Sequence, residues 1–195
     1  MDKTIEYYNN NPEKYVGNTI SADMRQIYDI FLKYVPNDGH ILDVGCGSGR
    51  DSLYFISKGY NIESIDGSIE MCINAESLIG KKVKCVMFQN LEYFNEFDAA
   101  WACASLLHIP KEEQKLVWGK LYMALKDKGI IYASYKKGAF EGERDGRFFL
   151  DYEEDMLSKL VYDSGFTMLE KWVSSDVRPD NKTQWINIIA KKILK

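Results

Sequence analysis

Long apolar runs are missing from this chain of 195 residues. None approaches the ~20 residues that a helix needs to cross a bilayer. The amino-terminal stretch MDKTIEYYNNNPEKY is polar and has no apolar leader core, so a cytoplasmic protein is expected. Cysteine is sparse, and Cys46, Cys72, Cys85 and Cys103 form no C-x-x-C pair. Two of them fall inside predicted strands. All four read as buried free thiols, with no disulfide framework and no metal site. A basic excess is also missing: the formal net charge is −4, which disfavours nucleic acid as a partner. Lysines gather at Lys81, Lys82 and Lys84 and again at Lys191, Lys192 and Lys195. Both groups flank predicted strands, where charge keeps sheet edges soluble. Internal repeats, low-complexity runs and linkers are absent, so residues 1–195 read as one domain with a sizeable core.

What is present is organised around Ile41-Leu42-Asp43-Val44-Gly45-Cys46-Gly47-Ser48-Gly49-Arg50-Asp51. Ile41, Leu42 and Val44 read as a buried strand, and glycines at alternate positions then break it. Asp51 opens a new apolar pattern in Leu53, Tyr54, Phe55 and Ile56. Strand, glycine turn and helix make a nucleotide-binding βα unit. The dinucleotide pattern G-x-G-x-x-G fails at Arg50, and the G-x-x-x-x-G-K-[ST] phosphate loop is absent. A second predicted strand, 61–65, ends at Asp66, an acid placed to accept hydrogen bonds from ribose hydroxyls.

These residues resemble the class I S-adenosylmethionine (SAM) dependent methyltransferases. The resemblance rests on DVGCGSGRD, on the acid of SIDGS and on the segment WACASLLHIP after the fourth strand, and it runs from about Ile41 to Tyr135. It implies a Rossmann-like α/β fold: a seven-stranded, mainly parallel sheet with an antiparallel last strand and helices on both faces. Residues 1–35 would form a helical preface that closes over the cofactor like a lid, against a second reading in which Tyr7, Tyr8 and Tyr15 simply pack it onto the domain. The small size and the LLHIP segment also look loosely like the tellurite-resistance-type enzymes.

Alternating patterns place further helices near 69–79, 111–125 and 151–164 and strands near 83–88, 98–103, 130–135, 166–173 and 184–193. Lys126-Asp127-Lys128-Gly129 reads as a turn and 136–147 as a loop.

The resemblance implies a set of cofactor contacts. The backbone N–H groups of Gly45, Cys46, Gly47 and Gly49 would meet the SAM carboxylate, and Asp43 its ammonium. Asp43 has a second reading, as organiser of the turn. Asp66, with Gly67 and Ser68, would take the ribose, and Met71, Gln89 and Asn90 the adenine. Ala104 and Ser105 would line the cofactor after the fourth strand, and Tyr15 would close over it. Arg50 either pairs with Asp51 at the surface or reaches the cofactor or the preface. His108 follows the fourth strand and is the candidate catalytic base, against a structural role at the Ile109-Pro110 turn. Tyr8, Tyr135, Arg147 and Arg178 are candidates for binding the acceptor, against a structural alternative in which Arg147 pairs with Asp176. His40 lies at the opposite end of the sheet. The expected activity moves a methyl group to an O, N, S or chalcogen atom of a small molecule and releases S-adenosylhomocysteine (SAH). The alternative is a SAM- or SAH-binding regulatory or partner module without catalysis. Monomer and homodimer both stand open.

Overall fold

The computed structural model describes residues 2–178 and 181–193. Lys195 of the carboxy-terminal lysine group lies outside them. The preface forms three short helices, α1 (Lys3–Asn10), α2 (Pro12–Thr19) and α3 (Arg25–Leu32). Each begins or ends where local chemistry dictates. The Asp2 carboxylate accepts from the Thr4 N–H, and Pro12 starts α2 where a missing N–H costs nothing.

The remainder runs β1 (His40–Val44), α4 (Arg50–Ser57), β2 (Asn61–Asp66), α5 (Ile69–Ile79), β3 (Val83–Cys85), β4 (Phe97–Ala102), α6 (Lys111–Ala124) and β5 (Leu125–Lys136). A hairpin of β6 (Glu141–Arg144) and β7 (Arg147–Leu150) follows, then α7 (Glu154–Asp163), β8 (Phe166–Ser175) and β9 (Gln184–Lys192). The seven-stranded sheet has the order β3-β2-β1-β4-β5-β9-β8. Its first five strands are parallel, and β9 runs antiparallel to both β5 and β8. The order reverses between β1 and β4, the point where open α/β sheets hold ligands.

Strand alternation divides the core. Ile41, Ala99, Trp101, Ile130 and Tyr132 face one layer with Ile27, Tyr28 and Phe31 of α3 and Phe55 of α4. Leu42, Val44, Ala100, Ala102, Ile131 and Ala133 face the other, with Val117, Trp118 and Leu121 of α6 and Leu157 of α7. No helix among the described residues is long and apolar enough to cross a membrane.

Five expectations change. Lys126–Gly129 is no connecting turn but an excursion inside β5: Phe97 pairs with Leu125 and Ala99 with Ile130, so the intervening residues bulge out. The third strand is short and ends at Cys85, giving way to a 3-10 turn at Phe88–Asn90. Residues 136–147 are not all loop, because they include β6, which pairs with β7. Cys85 is exposed rather than buried, and Lys192 is buried, with its Nζ donating to the Leu125 carbonyl.

A buried carboxylate helps tie the preface to the sheet. Asp51 is buried, and burial alone would favour its neutral form. Arg50, Tyr28 and Trp101 overcome this and hold it below the ordinary range. Arg50 donates from Nε to Oδ1 at 2.6 Å and from Nη2 to Oδ2 at 3.0 Å, and Trp101 donates from Nε1 to Oδ2 at 2.8 Å. The Tyr28 hydroxyl also donates to it. Arg50 Nη1 then reaches the Thr19 carbonyl at the end of α2, at 3.1 Å. The pair is therefore not at the surface. Asp51→Asn should leave the guanidinium without a counter-charge and cost about 3 kcal/mol, the lower end for a broken buried ion pair. Urea denaturation against the parent protein measures this, and a change below about 1 kcal/mol would contradict the role given to Asp51.

Candidate active site

The turn after β1 is built by left-handed backbone. Gly47, at φ +53°, is needed for space: a Cβ there would lie 3.0 Å from the Tyr15 ring. Gly49, at φ +80°, is needed for packing, because a Cβ would lie 3.1 Å from both Cα and Cβ of Ala75 in α5. The turn's N–H groups are largely engaged within the protein. Gly45 and Cys46 both donate to the Ile65 carbonyl, Gly49 donates to Cys46, and Gly47 donates to Asp66 Oδ2 at 2.9 Å. The expected cradle of free donors for a carboxylate is thus not present.

Two adjoining cavities open over the carboxyl ends of the strands. The first, about 580 Å³ including its open mouth, is lined by Gly45, Gly47, Asp66, Gly67, Met71, Met87, Phe88, Ala104 and Ser105, under Ile5, Tyr8 and Tyr15 of the preface. Asp66 is buried, and its oxygens accept from the N–H groups of Gly47 and Ser68. Burial pushes its pKa up, while those N–H groups oppose the shift. A carboxylate can accept about four hydrogen bonds, so acceptor capacity remains. The buried Ser105 Oγ has no protein partner.

The second cavity, about 910 Å³ on the same measure, shares Tyr8, Tyr15, Ala104 and His108 with the first. Arg50, Cys103, Ser134, Lys136, Arg147, Phe149, Arg178 and Trp185 are among its other walls. Ala104 sits at the junction with φ +52°, a strained value for a residue with a side chain, and its N–H donates to Ser134 Oγ at 2.8 Å. Burial pushes the Cys103 thiol up to about 12, so it carries no thiolate.

His108 joins the preface to the β6–β7 hairpin. Its Nδ1 lies 2.7 Å from the Phe148 carbonyl, which fixes the proton on that nitrogen. Its Nε2 then accepts from the Tyr8 hydroxyl at 2.9 Å. Burial pushes its pKa down to about 3, against the Phe148 hydrogen bond and with help from Arg147 and Lys136. The imidazole is neutral at physiological pH, and its one lone pair is engaged.

The sequence candidates divide accordingly. Gly45, Gly47, Asp66, Gly67, Met71, Ala104, Ser105, Tyr15, Tyr8 and His108 all line the first cavity. Arg50, Arg147 and Arg178 line the second. Several others are drawn elsewhere. Asp43 lies behind the turn, accepting from Ser52 Oγ at 2.5 Å, and burial pushes its pKa up to about 8. Cys46 packs with Cys72, Ala75 and Val83, and Gly49 against α5. Ser68 caps α5 and donates to Asn9 Oδ1. The Gln89 amide donates to Glu113 Oε2 at 2.5 Å and Asn90 is exposed, so Met87 and Phe88 take the cavity wall expected of them. Tyr135 points into the α6 layer, donating to Gln114 Oε1 and accepting from Trp118 Nε1. Arg147 does not pair with Asp176; that carboxylate takes Arg178 at 2.6 Å. Ile5, Met87, Phe88, Ser134 and Asn187 carried no signal beyond their helical or strand register.

A family model described as "Methyltransferase domain" matches residues 41–129, which span β1 to the bulge in β5. Residues 41–129 are thus similar to a methyltransferase domain, and the segments that flank them lie outside the match. A curated relative, the "Putative methyltransferase YqeM" of Bacillus subtilis, is 27% identical over 56% of this chain and 50% of its own length. The chain thus spans about half the length of the curated relatives it matches first. Among solved structures, the 1,6-didemethyltoxoflavin-N1-methyltransferase of Burkholderia thailandensis, with SAH bound, superposes with a TM-score of 0.79 at 19% identity, covering 97% of this chain and 85% of that one. The [4+2]-cyclase SpnF superposes at 0.76 with 18% identity, covering 97% and 95%. At such identity these neighbours establish the fold alone.

The residues fit the family's cofactor where the fit can be tested. Asp66 offers acceptor capacity, and the buried Ser105 hydroxyl lacks a protein partner.

A pH effect follows from His108. Its folded pKa is depressed, so its contribution to stability is complete above the unfolded value of 6.5 and is lost as pH falls from there toward 3. At pH 5 the loss should be about 2 kcal/mol relative to a His108→Asn variant. Denaturant titrations of both proteins at pH 7.5 and 5.0 test this; parallel pH profiles would mean that His108 is not held neutral.

Proposed function

We propose that this protein is an active methyltransferase that transfers the methyl group of SAM to an O, N, S or chalcogen atom of a small molecule and releases SAH. The observation that carries this reading is the shared wall of the two cavities, formed by Tyr8, Tyr15, Ala104 and His108. One cavity has the groups for a nucleoside, and the other is separate, with its own cationic and aromatic lining.

When bound, SAM supplies a methyl group on a positively charged sulfur, a leaving group that needs no acid. The protein's task is to align the acceptor and exclude water. Asp66 would take the ribose hydroxyls, Met71, Met87 and Phe88 the adenine face, and Ser105 a polar cofactor atom. Tyr8 and Tyr15 present rings at the junction, where a cation gains attraction. His108 serves as base only when Tyr8 releases its lone pair, and its low basicity suits an acceptor that needs little deprotonation. Residues 1–35 act as the lid. In this structure α1 is docked rather than loose: Thr4 Oγ1 accepts from the Phe148 N–H, and Lys3 pairs with Glu143.

SAH should bind in calorimetry, and NAD should not compete. Asp66→Ala should weaken SAH by about 1–3 kcal/mol through loss of a charged acceptor. Incubating the protein with methyl-labelled SAM and a metabolite extract should yield a labelled product and stoichiometric SAH. SAH binding with no labelled product from any extract would favour the non-catalytic module, and absence of SAH binding would remove the reading altogether. Removing residues 1–18 should cut turnover far more than SAH affinity; unchanged turnover would end the lid assignment.

A further inference from the structure

The second cavity is electrostatically unbalanced. Two of its cations are already neutralised: Arg50 by Asp51 at 2.6 Å, and Arg178 by Asp176 at 2.6 Å. The other two, Lys136 and Arg147, make no ion pair among the described residues. Both are half-buried, and both sit against the face of Phe149, with Lys136 Nζ at 3.9 Å and the Arg147 guanidinium carbon at 5.0 Å from the ring centre. Arg147 also lies over the rings of Tyr7 and Tyr8. Its Nε is buried with no partner, and its Nη1 makes only a long contact, 3.4 Å, to the Tyr8 hydroxyl.

The carboxylate whose charge acts on Lys136 is committed elsewhere. Asp151 is buried beside the hairpin and takes Arg144 Nη2 at 2.5 Å. Two desolvated cations without a carboxylate are costly unless a ligand supplies the opposite charge. His108 cannot supply it, being neutral. The aromatic lining around them supports a flat or partly apolar body with a charged end.

Building on the methyltransferase reading above, we propose that the second cavity is the subsite for an acceptor bearing an oxyanion, and that Lys136 and Arg147 hold that group beside Phe149. A planar carboxylate or a phosphate has the donor-matching geometry for Arg147, with Lys136 as a point charge. The anion would also offset the positive sulfur in the adjoining cavity.

Lys136 gives the subsite a pH signature. Burial pushes its pKa down to about 8, helped by Arg144 of β6 and Arg147 of β7 and by Arg178 after β8, and opposed by Asp151 after β7; His108 faces the same space. Anion binding therefore weakens as pH rises through about 8.

The test uses the full chain saturated with SAH and titrated with benzoate, phenyl phosphate or benzamide, followed by calorimetry. Both anions should bind at least tenfold tighter than neutral benzamide, and the stronger of the two identifies the oxyanion. Lys136→Gln and Arg147→Gln should each weaken the anions at least tenfold, with SAH and benzamide affinity unchanged. Lys136→Arg should keep the affinity and remove its fall above pH 8. Equal binding of benzoate, phenyl phosphate and benzamide by a protein that still binds SAH would overturn the subsite while leaving the methyltransferase reading intact. Loss of SAH binding itself would instead strike the cofactor assignment. Unchanged anion affinity in both glutamine variants would place the anion elsewhere and end the proposal.

Discussion

The structure depends on a buried carboxylate that four elements share. Asp51 stands at the start of α4 and receives hydrogen bonds from Tyr28 of α3, Trp101 of β4 and its own neighbour Arg50. Arg50 extends the connection to Thr19 at the end of α2. An acid in the first turn of a helix also meets the favourable end of the helix dipole. The consequence for the site is positional. With α2 anchored at its end, Tyr15 rests on Gly47, and the preface roofs the first cavity. The same network walls the second cavity through Arg50. A burial cost at one carboxylate is thus linked to the geometry of both cavities.

Electrostatics separates the buried acids along the first βα unit. Asp43, Asp51 and Asp66 are all buried, yet only Asp51 meets a cation. Asp43 has a serine hydroxyl and is driven toward its neutral form, while Asp66 has two backbone N–H groups. Backbone donors stabilise charge without closing off the remaining lone pairs, so Asp66 can still receive a ligand. Asp43 supports the turn from behind. The two acids look equivalent in a string of letters and differ because one side chain projects beyond the sheet and the other into the layer beneath it.

That contrast marks what the sequence made legible. Alternating apolar patterns and glycine positions located nearly every strand and helix of the parallel sheet, because those signals are local. Of the first cavity's wall, Gly47 and Asp66 were marked by the strand and turn pattern, while Met71, Ala104 and Ser105 came only from the family resemblance. What failed required knowing a direction or a partner. Tyr135 ends β5 at the ligand face, but period-two alternation sends it to the α6 layer and sends Ser134 and Lys136 to the second cavity. Gln89 was diverted by Glu113, and Arg178 rather than Arg147 took Asp176. The β6–β7 hairpin was hidden by its glycines and charges, which read as loop.

The division of the chain explains why the first cavity is easier to read from sequence than the second. The segment shared with the family carries β1 to the bulge of β5, and with it the glycine turn, Asp66 and Ala104. The groups found in the second cavity and not in the first mostly lie outside it: Lys136, Arg147, Phe149, Arg178 and Trp185 all follow it. They come mostly from the β6–β7 hairpin and the β8–β9 connection, elements joined to the sheet at its rim. Such elements can change length and charge without disturbing the parallel core. His108 bridges the two halves. It belongs to the shared segment, yet its ring nitrogens are held by Tyr8 of the preface and Phe148 of the hairpin. The first cavity is therefore walled largely by the parallel core and the second largely by segments at its rim, which is where a fold can vary its site without rebuilding its sheet.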